Sequence, residues 1–333
     1  MRFSGIRKAV HGGMGHIRSG YDAPGLLDFS QNLNPFPPSF PWNPDKSLVY
    51  FYPDDGYPRL KQEIARIEGC SPDMVCLGNG SVEIMRTFCH TVVAPGEKVA
   101  VFPPTFSEYE LSVRIAGGVP APECEGAVAE FLCNPNNPTG VLLSRDEVLQ
   151  RLFTAEEGGR ILFVDEAFID LSDPVQSVID HRSAFLFVLR SLTKAYAVPG
   201  LRFGYGIGDP TLVQAMEAVR PPWTVNAFAE QYALEALANR HQLVASRNVI
   251  ITEREWLGAQ FDALGISYAP SSVNYLLLET GAVPAAEVKE RLIKESILVR
   301  DCTSFGLPFS IRVAVRGHEE NARLVEVLGR CMH

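Results

Sequence analysis

The stretch FLFVLRSLTKAYAVPGLRFGYGIG at 185–208 joins two apolar runs through a loop that carries Lys194. Similar short apolar runs alternate with stretches of helical period from about residue 56 to 255. The runs are MVCLG (74–78), KVAVF (98–102), EFLCN (130–134), RILFVDEAF (160–168), FLFVLRS (185–191) and RFGYGIG (202–208). This alternation is typical of a parallel sheet covered by helices on both faces. We therefore expect an α/β fold whose large domain has three α/β/α layers and a mostly parallel sheet.

Segments of helical period lie between these runs and after them. The predicted helices are SVEIMRTFCHTVV (81–93), FSEYELSVRIA (106–116), SRDEVLQRLF (144–153), a nearly continuous helix over 226–264, and helices over 284–296 and 318–330. Ser144 followed by Glu147 forms a capping box at the start of the predicted helix over 144–153. Strands predicted at 274–279, 297–300 and 311–316 complete a smaller α+β unit. The predicted domains are a large one at 46–255 and a small one from 1–45 and 256–333, and we expect the amino-terminal arm to wrap over the surface or a cleft.

The composition excludes several classes of protein. The chain has 333 residues, of which 46% are hydrophobic and 21% charged, as in ordinary globular proteins. Its 30 Lys and Arg against 39 Asp and Glu give a net charge of −9, which argues against binding to nucleic acid or to an anionic membrane. An anionic ligand therefore needs a local site. The seven cysteines lack metal-ligand spacing, so we expect no metal, a reducing compartment and a cytoplasmic location.

Lys194 and Asp165 are the candidate catalytic residues. Lys194 follows a predicted buried strand, where α/β proteins place ligands, and a partly desolvated amine there can form a Schiff base. Asp165 ends the most hydrophobic run, where its carboxylate needs a cationic partner such as a protonated pyridine nitrogen. An ordinary loop lysine, and an aspartate that caps a helix or pairs with an arginine, are the alternatives.

Two turns lie at the ends of predicted strands. NPNNPTG (134–140) combines a rigid turn with the amide groups of three asparagines. In GNGS (78–81), Gly78 and Gly80 allow the backbone to approach an anion, and the Ser81 hydroxyl and the start of the helix can bind phosphate. Ser191, Thr193 and Arg202 can add donors to the same phosphate. Taken singly, these motifs are also typical of an ordinary turn and an ordinary helix start.

Together, LGNGS, NPNNPTG, DEAF and SLTKAYAVPGLRFGY occur in an order and spacing that resembles the fold-type I pyridoxal phosphate enzymes of the class I/II aminotransferase superfamily. The resemblance implies pyridoxal 5'-phosphate as cofactor, with Lys194 bound to it and Asp165 on its ring nitrogen. It implies Asn137 on the ring hydroxyl, Phe106 stacked on the ring, and a homodimer in which Tyr52 reaches the cofactor phosphate of the neighbouring subunit. The residues implied for the cofactor phosphate are Gly80, Ser81, Ser191 and Arg202.

Within that superfamily, the chain resembles the branch that contains L-threonine-O-3-phosphate decarboxylase of cobalamin biosynthesis and histidinol-phosphate aminotransferase. HGG (11–13), DFSQNLNP (28–35) and Phe168, where many aminotransferases have tyrosine, favour the decarboxylase. The implied substrate is a small phosphorylated amino acid or amino alcohol. The residues implied to bind it are His11, Asn32, Asn34, Arg300 and Arg312. The alternatives are the aminotransferase and a binding or regulatory protein that keeps the fold without catalysis; a solvent-exposed tail position is the alternative for His11.

Overall fold

The computed structural model describes residues 25–331 and, before them, positions 6, 8, 9 and 12. Its strands are, in chain order, β1 (Leu27–Asp28), β2 (Val75–Gly78), β3 (Lys98–Val101), β4 (Val119–Ala121), β5 (Ala127–Cys133), β6 (Ile161–Asp165), β7 (Leu186–Ser191), β8 (Gly204–Gly208), β9 (Tyr275–Glu279), β10 (Ile297–Leu298), β11 (Arg300–Asp301) and β12 (Ser310–Ala314). Its α-helices are Pro58–Glu68, Ser81–Val92, Glu108–Ile115, Arg145–Glu157, Leu192–Ala195, Pro210–Val219, Ala227–Ala238, Leu243–Ala263, Ala285–Lys294 and His318–Cys331.

Seven strands form the central sheet, in the order β2-β8-β7-β6-β5-β3-β4. Strands β3 to β7 are parallel to one another, whereas β8 is antiparallel to both β2 and β7. Buried side chains on the two faces form two separate hydrophobic clusters under the covering helices. The expected fold class, a mostly parallel sheet between helical layers, is confirmed.

Strand β8 owes its glycines to close packing against β7. A Cβ atom on Gly206 would lie 2.3 Å from the ring of Phe187, and one on Gly208 would lie 2.7 Å from it. A strand interior normally disfavours glycine because it supplies no side chain to pack. Here the Phe187 ring fills that space.

The structure differs from the sequence predictions in two elements of this unit. Strand β4 at the sheet edge has no counterpart among the predicted runs, because VPA is short and carries a proline. The predicted continuous helix over 226–264 is two helices, Ala227–Ala238 and Leu243–Ala263, separated by a 3-10 turn. The side chain of Asn239 donates to the carbonyl of Glu235 at 2.9 Å, a local bond that competes with continued helix. The capping box at Ser144 is confirmed.

A second, smaller sheet lies in the carboxyl-terminal part, with the antiparallel order β11-β12-β9. The predicted strand at 297–300 divides, because β10 pairs with β1 whereas β11 pairs with β12. The pairing of β1 with β10 joins the amino-terminal segment to this unit. The domain boundaries remain a prediction, and helix Leu243–Ala263 runs across the one at 255. Among the described helices, none is long and apolar enough to cross a membrane.

Candidate active site

A cavity of about 430 Å³ opens at the carboxyl ends of β5, β6 and β7, where α/β sheets bind ligands. The amino-terminal segment, the start of helix Ser81–Val92 and the strand pair β11–β12 supply its other walls. Its lining residues are Gly12, Ser30, Gln31, Asn32, Leu33, Ser81, Val82, Phe106, Cys133, Asn137, Asp165, Ala167, Phe168, Ser191, Thr193, Lys194, Pro199, Arg202, Arg300, Phe305 and Arg312.

Lys194 enters the cavity from the short helix that follows β7. Its Nζ donates to the side-chain oxygen of Asn32 at 3.1 Å and lies 5.9 Å from the centre of the Phe168 ring. Burial lowers the pKa of Lys194 to about 8, and the positive charges of Arg312 and Arg202 add to the effect. A substantial fraction of this amine is therefore neutral near physiological pH, as a Schiff-base nucleophile must be.

Asp165 ends β6 with its carboxylate buried in the cavity wall. The hydroxyl of Tyr109 donates to Oδ2 at 2.7 Å and the backbone N–H of Ala167 donates to Oδ1 at 2.9 Å. Burial raises the pKa of Asp165, while these two hydrogen bonds and the charge of Lys194 oppose the rise. Within the described part of the chain, Asp165 has no ion-pair partner, so a cationic group in the cavity would complete its surroundings.

The three asparagines of the 134–140 turn have different roles. Asn134 exchanges hydrogen bonds with the backbone of Leu143 through both ends of its amide. Asn136 donates to the carbonyl of Pro104 at 3.0 Å and accepts from Thr105 Oγ1 at 2.9 Å. Those two asparagines hold the turn, and Asn137 alone of the three lines the cavity.

Anion-binding groups gather at the helix start. Gly80 caps the helix with a φ of 80°, and a Cβ atom there would lie 2.2 Å from Nη2 of Arg202. The Arg202 guanidinium is held over this turn by hydrogen bonds to the carbonyls of Pro199 and Asn79. Ser81, Ser191 and Thr193 complete this end of the cavity. The first turn of a helix, hydroxyl groups and a guanidinium together suit a phosphate.

Arg300 and Arg312 lie at the other end, directly opposite each other on the antiparallel pair β11–β12. Arg312 donates to Asn137 Oδ1 and to the carbonyl of Ser30, and Arg300 donates to Ser304 Oγ at 2.7 Å. Burial lowers the pKa of both arginines, and that of Arg300 is lowered further by the neighbouring charge of Arg312. Two buried cations side by side favour an anionic ligand.

Three predicted site residues are placed differently from the rest. Asn34 does not line the cavity. Its side-chain amide donates to the carbonyl of Ala195 at 2.7 Å, and its backbone N–H donates to the carbonyl of Lys194 at 3.0 Å. Tyr52 is 79% exposed and packs against Trp223, with ring centres 4.4 Å apart and ring planes tilted by 31°. His11 lies outside the described residues. All the other predicted site residues except Gly80 line the cavity, and Gly80 caps its anion-binding helix.

Sequence reasoning missed Tyr109, Ser30, Ser304 and Phe305. Tyr109 follows Phe106 by three residues in a segment predicted to be helical, a spacing that places both rings on one side. That spacing was the available signal. Ser30 lies within the DFSQNLNP motif but was not singled out there, and no motif marked Ser304 or Phe305.

The arrangement fits pyridoxal phosphate on structural grounds. The space beside Gly80, which an added Cβ atom would fill, lies next to the guanidinium of Arg202. A lysine with a lowered pKa and a buried carboxylate without an ion-pair partner in the described chain lie on the same cavity. These are the groups needed to bind the carbonyl, the ring nitrogen and the phosphate of that cofactor.

The chain is similar to known proteins over most of its length. Residues 45–328 match the family model described as aminotransferase class I and II. A "Putative threonine-phosphate decarboxylase" of Caldanaerobacter subterraneus is 36% identical, covering 89% of this chain and 88% of the relative. A histidinol-phosphate aminotransferase of Symbiobacterium thermophilum is 32% identical, covering 91% and 90%. The crystal structure of the histidinol-phosphate aminotransferase from Clostridium acetobutylicum superposes with a TM-score of 0.82 at 27% identity, covering 92% of this chain and 99% of that one. The chain thus belongs to the class I and II aminotransferase family and is a pyridoxal phosphate-dependent enzyme.

Proposed function

We propose that the enzyme decarboxylates L-threonine O-3-phosphate, releasing CO2 and (R)-1-aminopropan-2-yl phosphate, as in cobalamin biosynthesis. The observation that carries the proposal is the cross-strand pair Arg300 and Arg312 beside Asn32 and Lys194. Two guanidinium groups match a substrate with two anionic groups, and threonine phosphate has both a carboxylate and a phosphate. The 36% identity to the decarboxylase-named relative supports the same choice.

The cofactor residues divide by the part of pyridoxal phosphate that they hold. Asp165 would pair with the ring nitrogen, Asn137 would bind the ring hydroxyl, Phe106 would stack on the ring and Lys194 would bind the carbonyl carbon. The residues that would hold the phosphate are Gly80, Ser81, Ser191, Thr193 and Arg202. When bound, the cofactor supplies an electron sink for the electron pair left on the substrate Cα.

Orientation of the substrate selects the bond that breaks. Arg300, Arg312, Asn32 and His11 would bind its anionic groups so that the Cα–carboxylate bond is the one presented for cleavage. That bond breaks, CO2 leaves, and the electron pair stays with Cα. Lys194 would then deliver a proton to Cα, which its pKa of about 8 allows near neutral pH.

Transamination of histidinol phosphate is the second candidate. The 32% identical Symbiobacterium relative favours transamination. The second substrate of that reaction, a dicarboxylic amino acid, would also be bound by two arginines. Phe168 argues for the decarboxylase, because no hydroxyl is available where many aminotransferases place a tyrosine. The Phe168 ring instead packs against Tyr275, with ring centres 5.3 Å apart.

The test is to incubate the purified holoenzyme with L-threonine phosphate, without any 2-oxoacid, and to measure CO2. We expect stoichiometric CO2 and the amino-alcohol phosphate, with Lys194→Ala as the inactive control. Absence of CO2, together with glutamate formation from histidinol phosphate and 2-oxoglutarate, would reverse the assignment.

A homodimer with shared sites is part of the proposal. Tyr50, Phe51 and Tyr52 are 82%, 70% and 79% exposed on one chain, as expected of residues that a second copy covers. Tyr52 would reach the cofactor phosphate of the partner subunit. Light scattering should give twice the chain mass, and Tyr52→Phe should weaken cofactor binding without dissociating the dimer. A monomer that binds cofactor normally would contradict this part.

A further inference from the structure

Tyr109 contacts both Asp165 and Phe106, the two residues proposed above to bind the cofactor ring. It lies on helix Glu108–Ile115 and is completely buried. Its hydroxyl donates to Asp165 Oδ2 at 2.7 Å, and the edge of its ring packs on Phe106 with centres 5.6 Å apart at 85°. On the other side the ring stacks on Phe131 at 4.8 Å and 10°. The hydroxyl is therefore held in place by the packing of its own ring.

Asp165 receives hydrogen bonds from two separate segments. Tyr109 binds Oδ2 and the N–H of Ala167 binds Oδ1, while Cys133 lies beside Asp165 on the neighbouring strand. A carboxylate has about four acceptor positions. Two donors orient the group and leave positions for a cationic N–H in the cavity.

The electrostatic balance at Asp165 depends on these donors. Burial raises the pKa of Asp165, and the side-chain hydrogen bond from Tyr109 is the largest effect that lowers it, followed by the bond from Ala167 and the charge of Lys194. The other titratable neighbours of Asp165 are Cys133 and Tyr275. Burial raises the pKa of the Cys133 thiol to about 12 and that of the Tyr275 hydroxyl well above its usual value, so neither group carries a charge near neutral pH. Without the Tyr109 hydroxyl, Asp165 would more readily keep its own proton and lose its charge.

We infer that Tyr109 is a positioning residue that keeps Asp165 ionised and aimed at the cofactor ring nitrogen. This inference rests on the proposed role of Asp165. A neutral Asp165 could not stabilise a protonated ring nitrogen, so the electron sink would be weaker. Tyr109 thus acts on the chemistry through Asp165, without touching the substrate.

The test uses Tyr109→Phe, which removes the hydroxyl and keeps both ring contacts. The matched control is Tyr205→Phe, because Tyr205 is also buried and its hydroxyl also donates to a buried carboxylate, Glu68 Oε1 at 2.8 Å, outside the cavity lining. The readouts are the dissociation constant of pyridoxal phosphate and the protonation of its ring nitrogen, followed against pH by 15N NMR of labelled cofactor on the holoenzyme. Thermal unfolding of each apoenzyme reports on stability separately.

For Tyr109→Phe we expect the ring nitrogen to lose its proton at lower pH than in the wild type. Cofactor affinity should fall roughly tenfold, the scale of one hydrogen bond to a charged group, and kcat should fall with KM nearly unchanged. Tyr205→Phe should lower stability and leave the ring-nitrogen titration unchanged. A ring-nitrogen titration in Tyr109→Phe that matches the wild type, or an equal shift in the control, would overturn the inference.

Asp165→Asn separates this inference from the proposed role of Asp165. If Asp165→Asn shifts the ring-nitrogen titration and Tyr109→Phe does not, only the inference about Tyr109 fails. If neither variant shifts it, the proposed role of Asp165 fails as well. The wild-type titration is a check that needs no variant, since a neutral ring nitrogen near pH 7 would overturn both.

Discussion

The side-chain oxygen of Asn32 accepts a hydrogen bond from Nζ of Lys194 at 3.1 Å, across 162 residues of sequence. The adjoining backbone is joined as well, because the N–H of Asn34 donates to the carbonyl of Lys194 at 3.0 Å. The amino-terminal segment therefore covers the lysine directly. Asn32 contacts the amine and lines the wall where a substrate anion would lie, so it can influence both the pKa of Lys194 and the binding of the substrate.

The pH dependence of cofactor attachment should reveal the lowered pKa of Lys194. Only the neutral amine attacks the cofactor carbonyl, so the rate should rise with pH and level off above about 8. A lysine with the ordinary pKa of 10.5 would give a rate that keeps rising to that value. The rate is measured from the absorbance change after pyridoxal phosphate is mixed with apoenzyme. A profile still rising at pH 9.5 would contradict the prediction.

Asn32→Asp should move the midpoint of this pH profile of cofactor attachment to higher pH. A carboxylate about 3 Å from the amine stabilises its protonated form, which raises the pKa of Lys194. At pH 7.5 attachment should therefore slow several-fold relative to the wild type. Asn32→Ala removes the contact without adding charge and is the control. An equal upward shift in both variants would show that charge at position 32 is not the cause.

Gly80→Ala should weaken cofactor binding by colliding with Arg202. The new Cβ would lie 2.2 Å from Nη2 of Arg202, and displacing one charged donor corresponds to a roughly tenfold loss of affinity or more. Gly96→Ala is the control, since Gly96 has a similar φ of 87° but nothing within 4 Å of an added Cβ. Equilibrium titration of apoenzyme with pyridoxal phosphate measures the effect. Equal affinities in the two variants would rule out the collision.

Arg312→Lys should raise KM for the phosphorylated substrate by roughly tenfold to a hundredfold, because an ammonium cannot replace a bidentate guanidinium. Arg316→Lys is the control. Arg316 lies beyond the end of the same strand, binds the carbonyl of Asp28 and Glu320, and does not line the cavity. Steady-state kinetics at saturating cofactor give both values, and the prediction fails if KM changes equally in the two variants.

Glu166→Gln should destabilise the fold. Glu166 follows Asp165 and faces away from the cavity, where Oε2 lies 2.9 Å from Nε of the completely enclosed Arg190. Ser177 Oγ and the N–H of Val178 also donate to it. Breaking a buried ion pair from one side costs about 3–5 kcal/mol when the remaining charge is left without a partner. Arg190 keeps a second ion pair with Asp170 at 2.9 Å, so we expect a loss at about the lower end of that range.

Urea unfolding of the apoenzyme measures the change in the free energy of unfolding. Glu63→Gln, which disrupts the exposed pair with Arg66, should cost less than about 1 kcal/mol. A similar small loss in Glu166→Gln would show that the buried pair contributes little to stability.

Most sheet strands and helices of the large unit were predictable because their signals are local. Uninterrupted apolar runs predicted β5, β6 and β7, and Ser144 with Glu147 predicted a helix start that the structure confirms. Strand β4 and the division of 297–300 into β10 and β11 were not predictable. In both cases the pairing partner, and not the segment itself, determines the strand.

The sequence by itself determined the fold class, the family and the position of Lys194 and Asp165 at strand ends, because periodicity, turn chemistry and motif order depend on neighbours along the chain. The tertiary structure alone decided which side chains meet. Arg312 reaches Asn137 across 175 residues, Arg300 faces Arg312 through strand register, and Tyr109 binds Asp165 from another layer. Such contacts depend on how helices and strands pack and on burial, which lowers the pKa of Lys194 and raises that of Asp165.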